Sequence, residues 1–240
     1  PREILRLVPA DEPMQIAVLV DDSQASDSYV RDYREALARF VTDVLAASPA
    51  QGRHQIALVG LASRPTIITD YTSDAARLKQ GIDRIFAQTR TGTYLLDAVV
   101  EVTRGLMRRQ AVRPVLVAVV TEGPEMSPRQ HEEVLGSLRA AAAPFHVLSL
   151  GYPSNLSTER LIVLDRGSEE TGGQRDVLLA GTALTGRMAR LAAELTQQHR
   201  VVYARPQSLI PPDRVVVAAA RPGLTVRGSV ATALDGQDRP

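Results

Sequence analysis

Four short apolar runs rich in β-branched residues recur along the chain: 15–20 (QIAVLV), 55–61 (QIALVGL), 114–120 (PVLVAVV) and 145–150 (FHVLSL). Each is bounded by polar residues or glycine, and none alternates between apolar and polar. A continuous apolar run of this length fits a strand buried on both faces of a parallel sheet, because an open antiparallel strand shows one polar face. Stretches with the period of an α-helix lie between the runs. Val30, Tyr33, Leu37, Phe40, Val41, Val44 and Leu45 share one face of a long first helix. Ala75, Leu78, Ile82, Ile85 and Phe86 mark a second helix, and Leu96, Val99, Thr103 and Leu106 a third.

Later segments continue the alternation. Ser127-Pro128-Arg129-Gln130 reads as a capping box with proline at the first helical position. Ser157 is placed to cap a helix that stops near Gly172-Gly173, the segment 176–179 follows as a strand, and Met188, Leu191 and Leu195 lie on a last helix. Residues 66–71 (TIITDY) follow the second run after only Arg64-Pro65. So short a link predicts an antiparallel hairpin, since a parallel return needs a dozen or more residues.

The expected fold is therefore α/β: a doubly wound, mostly parallel six-stranded sheet with one antiparallel edge strand and helices on both faces. Right-handed crossovers then create a switch point beside the first strand, where ligands sit at the strands' carboxyl ends. Residues 201–205, 214–219 and 224–227 are short extended pieces separated by Pro211-Pro212 and Pro222-Gly223. Together with residues 3–8 they predict a small antiparallel extension built from the two chain ends. The expected organisation is a domain over 10–200, the extension over 1–9 and 201–232, and a tail over 233–240.

Composition narrows the function. The 28 basic and 27 acidic residues leave a formal net charge of +1, so no polyanion-binding surface, and hence no nucleic-acid partner, is implied. There is no cysteine, which removes disulfides, thiolate metal sites and cysteine nucleophiles. No apolar run approaches the roughly 20 residues of a membrane helix. The chain opens at Pro1 without an initiator methionine, so it reads as a fragment or processed product, with any export signal upstream. There is no GxSxG, GxxxxGK[ST] or HExxH pattern, and His54, His131, His146 and His199 are scattered. No catalytic residues are assigned, and a hydrolase at the switch-point cleft is the least favoured reading.

Three loops fall at the predicted carboxyl ends of adjacent strands. They are Asp21-Asp22-Ser23-Gln24-Ala25-Ser26, Thr91-Gly92-Thr93-Tyr94-Leu95-Leu96-Asp97-Ala98 and Thr121-Glu122-Gly123. Their carboxylates and hydroxyls form an all-oxygen set of the kind that suits a hard divalent ion such as Mg²⁺. Asp21, Ser23 and Thr93 also stand just before helices, where the same side chains cap free N–H groups. Asp97 reads as a structural hydrogen-bonding residue at the start of its helix.

The order strand–DxSxS–long helix, GTxLxDA loop, strand–TDG resembles the von Willebrand factor A domain with its metal-ion-dependent adhesion site. Here it appears as Asp21-x-Ser23-x-Ala25, Gly92-Thr93-x-Leu95-x-Asp97-Ala98 and Thr121-Glu122-Gly123. Glu169-Glu170-Thr171-Gly172-Gly173 and the closing segment 202–227 are similar to the bacterial members of that group. The resemblance implies metal ligation by Asp21, Ser23, Thr93 and Glu122. It also implies a site that departs from the pattern twice: Ala25 replaces a ligand serine, and Glu122 is one methylene longer than the usual aspartate. The expected cofactor is accordingly none, or weakly bound Mg or Mn. The resemblance further implies a non-catalytic adhesion or scaffold domain holding a protein partner at the strand-end face, through Asp22, Gln24, Ser26, Tyr94 and Pro124. An intact Mg/Mn-dependent adhesion domain is the alternative. An extracytoplasmic location, periplasmic or secreted, follows from the same resemblance.

Overall fold

The computed structural model describes residues 3–49, 52–152, 157–204, 217–219, 221–223 and 225–229. Six strands form the central sheet: β2 (Met14–Val20), β3 (Gln55–Gly60), β4 (Thr66–Thr72), β5 (Arg113–Val120), β6 (Phe145–Leu150) and β7 (Arg175–Leu178). Their order is β4-β3-β2-β5-β6-β7, parallel throughout except for β4, which pairs antiparallel with β3 at the edge. The α-helices among the described residues are α1 (Val30–Ala46), α2 (Ala75–Asp83), α3 (Leu95–Arg108), α4 (His131–Ala141), α5 (Thr158–Thr171) and α6 (Ala183–Thr196).

The inner strands β2, β3, β5 and β6 are buried on both sides because they are apolar at almost every position, whereas the edge strands β4 and β7 are partly exposed. In β2, Ile16, Val18 and Val20 pack with Tyr33, Leu37 and Phe40 of α1 and with Met188 and Leu191 of α6. Ala17 and Leu19 point the other way, to Leu96 and Val99 of α3, Val134 and Leu138 of α4 and Val163 of α5. The period of two along the strand thus feeds two separate cores. With only 4% aromatic residues, both are built from aliphatic side chains around Tyr33, Phe40 and Phe145.

From β2 the chain winds outward to β3 and β4, then returns through α2 and α3 to β5 on the other side of β2. This reversal puts the switch point between β2 and β5, where the loops that follow the two strands diverge and leave a cleft.

Several local expectations are corrected. The second helix ends at Asp83 and not near Phe86, which is exposed. The Ile85 carbonyl accepts from Nε and Nη2 of Arg34 on α1, so the backbone leaves the helical path while Ile85 stays in the core. Ser127 does not cap α4. That helix starts at His131, and the His131 amide donates instead to Glu159 of α5 at 2.6 Å. The Ser127 hydroxyl accepts from the Asp97 amide, in the first turn of α3. By contrast Ser157 accepts from the Arg160 amide at the start of α5, and that helix closes on Gly172 at φ 77°.

β1 (Ile4–Pro9) and β8 (His199–Tyr203) form a separate two-stranded antiparallel ribbon. His199 is the first residue of β8. Of the other expected extended pieces, 205, 214–216 and 224 lie outside the described residues, and 217–219 and 225–227 carry no strand. Among the described residues no helix is long and apolar enough to cross a membrane.

Candidate functional site at the carboxyl end of the sheet

Asp21 leaves β2 fully buried, and both its carboxylate oxygens are occupied by donors from the protein. Oδ1 accepts from the Ser23 amide at 3.1 Å. Oδ2 accepts from the Thr121 amide at 3.1 Å and the Thr121 hydroxyl at 2.5 Å. These bonds tie the ends of β2 and β5 together across the switch point. Charge-assisted hydrogen bonds of this kind are the stronger ones, and a buried carboxylate needs them.

The next residues form a short 3₁₀ stretch, Gln24–Tyr29, leading into α1. Ser23 is fully buried, and its hydroxyl has no hydrogen-bond partner. Thr93 lies opposite, on the loop before α3. Its backbone bridges the strand ends, its amide donating to Pro124 and its carbonyl accepting from Met126, while the next amide, Tyr94, donates to Leu61. The Thr93 hydroxyl is likewise buried and unpartnered. Leaving a buried hydroxyl unsatisfied costs about 1–3 kcal/mol, so these two side chains are the open polar groups between the loops.

Ala25 is exposed beside Gly123. A Cβ placed on Gly123 would come within 2.9 Å of the Ala25 methyl and 3.2 Å of the Ser23 hydroxyl. Only glycine fits between the two loops there. Glu122 runs over Gly151, at the end of β6: a Cβ on Gly151 would lie 3.5 Å from both Cγ and Cδ of Glu122. Its stem therefore leans towards β6, on the side of β5 away from β2 and Asp21.

Asp22 and Ser26, expected on the partner-facing surface, are buried, which corrects that placement. Oδ1 of Asp22 accepts from the Leu61 and Ala62 amides, both at 2.7 Å, and Oδ2 accepts from Gln88 Nε2 at 2.9 Å. The carboxylate caps the end of β3: Leu61 shares its amide between Asp22 and the Val20 carbonyl, and Ala62 donates to Asp22. The Ser26 hydroxyl donates to the Ser23 carbonyl. Gln24 and Pro124 are exposed, Tyr94 is half-buried, and Met126 and Tyr152 add apolar surface to the loops at this end of the sheet. Asp97 accepts from Arg129 Nε at 2.6 Å.

Sequence reasoning missed Arg160. It is fully buried at the start of α5, with Nη1 donating to the Gly123 carbonyl at 2.8 Å and Nη2 to the Thr121 carbonyl at 2.6 Å. Burial pushes its guanidinium below the usual arginine range, against the opposing pull of Asp21 and Glu125. Burial raises the Glu125 carboxyl. Burial, and then the negative charge of Asp21, hold the Tyr33 phenol well above its ordinary value. Nothing in the local sequence marks Arg160, because its partners stand 37 and 39 residues away.

The histidines lie apart from these groups. His54 Nδ1 accepts from the Met14 amide at the opposite end of β2. His131 pairs with Glu159 at the start of α4. His146 has both ring nitrogens buried without partners. None of them is tied to a hydroxyl of the switch-point site among the described residues.

A doubly wound sheet with an Asp-x-Ser loop, a threonine loop and a Thr-x-Gly loop converging at its switch point defines the class: an α/β domain of the doubly wound kind. Residues 16–124 match the family described as von Willebrand factor type A domain. The match covers the three strand-end loops, from Asp21 to Gly123. No curated protein sequence matches the chain significantly. Among solved structures it is similar to a von Willebrand factor type A protein from Catenulispora acidiphila, with a TM-score of 0.59 and 14% identity over 81% of this chain and 47% of that one. Proximal thread matrix protein 1 from the mussel byssus gives a TM-score of 0.60 at 19% identity, over 82% of this chain and 49% of that one. The vWF domain of the type V pili tip protein Mfa5 from Porphyromonas gingivalis gives 0.59 at 11% identity, over 76% and 95%. The chain thus spans about half the length of the first two proteins. At these identities the likeness is one of fold.

Proposed function

We propose that the chain is a non-catalytic adhesion or scaffold domain that binds a protein partner at the carboxyl-end face of the sheet, with divalent metal weak or absent. The observation that carries this reading is the state of Asp21: a fully buried carboxylate whose two oxygens already accept three hydrogen bonds from the protein. Mg²⁺ demands near-ideal octahedral oxygen geometry. The residues present do not fit that demand. Ala25 brings no oxygen, Glu122 leans towards Gly151, and what remains open is the pair of neutral hydroxyls of Ser23 and Thr93.

The face itself suits a protein. Gln24, Ala25, Pro124, Met126 and Tyr152 give it mixed polar and apolar exposed groups on loops held by a rigid sheet. The similar folds include a pilus tip domain and a byssal matrix protein, and a location outside the cytoplasm belongs to this proposal. A photo-crosslinking residue at Gln24 or Pro124 is expected to give a discrete adduct in the cells of origin. The same residue at Arg53 or Gln198, at the other end of the sheet, is expected to give none. Equal labelling from both ends would sink the assignment of the face.

A second reading, a Mg/Mn-dependent adhesion domain, is favoured by one observation: the unpartnered hydroxyls of Ser23 and Thr93. Titration calorimetry with Mg²⁺ and Mn²⁺ separates the two, saturable heat at micromolar ion supporting the second.

A further inference from the structure

Among the described residues, Asp21 and Arg160 are the only acidic or basic side chains with no exposed surface at all. They come from opposite ends of the chain's domain, β2 and α5, and meet around one loop. The Thr121 amide and hydroxyl hold the Asp21 carboxylate, while the Thr121 carbonyl and the Gly123 carbonyl hold the Arg160 guanidinium. We infer that Arg160 is the resident cation of the strand-end site: it neutralises Asp21 and braces the 121–123 loop, the task a divalent ion performs when one is bound there.

The chemistry favours this arrangement. A buried carboxylate without a countercharge is strongly disfavoured, and neutral donors compensate it only in part. A guanidinium keeps its charge when buried and presents several donors in a fixed plane, so it can take two carbonyls and still face an anion. Asp21 and Glu125 are the two anions whose fields act on it most. A dication placed between Ser23 and Thr93 would be repelled by this fixed positive charge, and the buried surroundings screen that repulsion less than water does. The substitution of Ala25 for a ligand serine, and the lean of Glu122 towards β6, then follow as positions relieved of ligating an ion.

This inference rests on the metal-free half of the proposed function and not on the partner-binding half. The test is thermal unfolding of the full chain, with and without 5 mM Mg²⁺ or Mn²⁺ (about 5 mM, far above the affinity of a well-formed site). The parent protein is expected to shift by less than about 1 °C with ion. Arg160→Met is expected to lower Tm by about 10 °C and to become responsive to ion, because a bare carboxylate and two open hydroxyls remain. Arg160→Lys keeps the charge and is expected to stay indifferent to ion. Combining Asp21→Asn with Arg160→Met should recover part of the lost Tm, since removing both charges costs less than stranding one.

Additive losses in that cycle would overturn the pairing. So would saturable Mg²⁺ stabilisation of the parent protein with Arg160 in place. If Arg160→Met does not fold, the parent titration and Asp21→Asn still decide: loss of the carboxylate alone is expected to destabilise, and an unchanged Tm overturns the inference. Loss of partner crosslinking without any of these changes would count against the binding face only.

Discussion

The Thr121 hydroxyl donates to Oδ2 of Asp21 at 2.5 Å, joining two residues 100 positions apart across the switch point of the sheet. The Thr121 amide reaches the same oxygen, so one residue at the end of β5 fixes the rotamer of the residue that ends β2. Thr121→Val keeps the shape and the amide but removes the hydroxyl. It is expected to destabilise the domain by about 1–3 kcal/mol in urea unfolding, the range for a buried hydrogen bond to a charged group. A change within error would mean that the hydroxyl merely occupies space there.

Asp22 offers a sharper test of a carboxylate used for structure. It accepts from the Leu61 and Ala62 amides and from Gln88, and since Leu61 also donates to the Val20 carbonyl, Asp22→Ala strands the buried Ala62 amide. The expected loss is about 1–3 kcal/mol, with Asp22→Asn intermediate because one amide oxygen remains. Both are read by chemical denaturation, and divalent ions are expected to leave the difference untouched.

Placing a serine at 25 and the shorter carboxylate at 122 tests whether those two positions limit metal affinity. Ala25→Ser with Glu122→Asp is expected to raise Mg²⁺ affinity by about tenfold or more over the parent, an added hydroxyl and a shorter carboxylate being what the octahedral ion asks for. Calorimetry measures it directly. No gain would mean that the two departures from the family pattern are not what limits the metal.

Stability should fall on acidification through two buried histidines. Burial, helped by the nearby Arg113, lowers His54 to about 4. Burial, with Arg227 and Arg187, lowers His146 to about 3. Both values lie below the unfolded histidine near 6.5, so in the window between them the unfolded chain binds more protons and stability rises with pH. It is complete above about pH 6.5 and is lost as pH falls through 4 and then 3. In unfolding experiments, His146→Leu is expected to flatten the slope at the acid end and leave the curve above pH 7 parallel to the parent. An unchanged acid slope would show that His146 is not the titrating group.

Arg113 ties the chain ends to the sheet. Nη1 donates to the carbonyls of Ala10 and Glu12, and Nη2 to the Leu195 carbonyl and Gln198 Oε1. Arg113→Ala is expected to speed hydrogen exchange in β1 and β8 by about tenfold or more while the β2 and β5 amides keep their protection, because the ribbon has few other anchors. Uniform loss of protection across the sheet would overturn that local role.

How far the sequence alone reached follows from what local pattern can encode. Apolar runs of strand length and helical periods are properties of neighbouring residues, and they specified the strands of the central sheet, most helices and the antiparallel hairpin expected at 66–71, but not the pieces at 217–219 and 225–227, which carry no strand. The loops carrying Asp21, Ser23, Thr93 and Glu122 were legible for the same reason, since a parallel sheet must deliver its strand-end loops to one edge. The ends of α2 and the start of α4 were not, because Arg34 and Glu159 claim backbone groups from other elements.

The site's electrostatics were decided by tertiary structure alone. Asp22 and Ser26 lie in the same hexapeptide as Gln24, yet packing turns the first two inward and leaves the third exposed. Arg160 stands in a helix otherwise marked by Ser157 and Gly172, and only the crossing of α5 over the 121–123 loop brings its guanidinium to the site. Periodicity reports which face a residue occupies. Which charge it meets there depends on contacts between elements far apart in the chain.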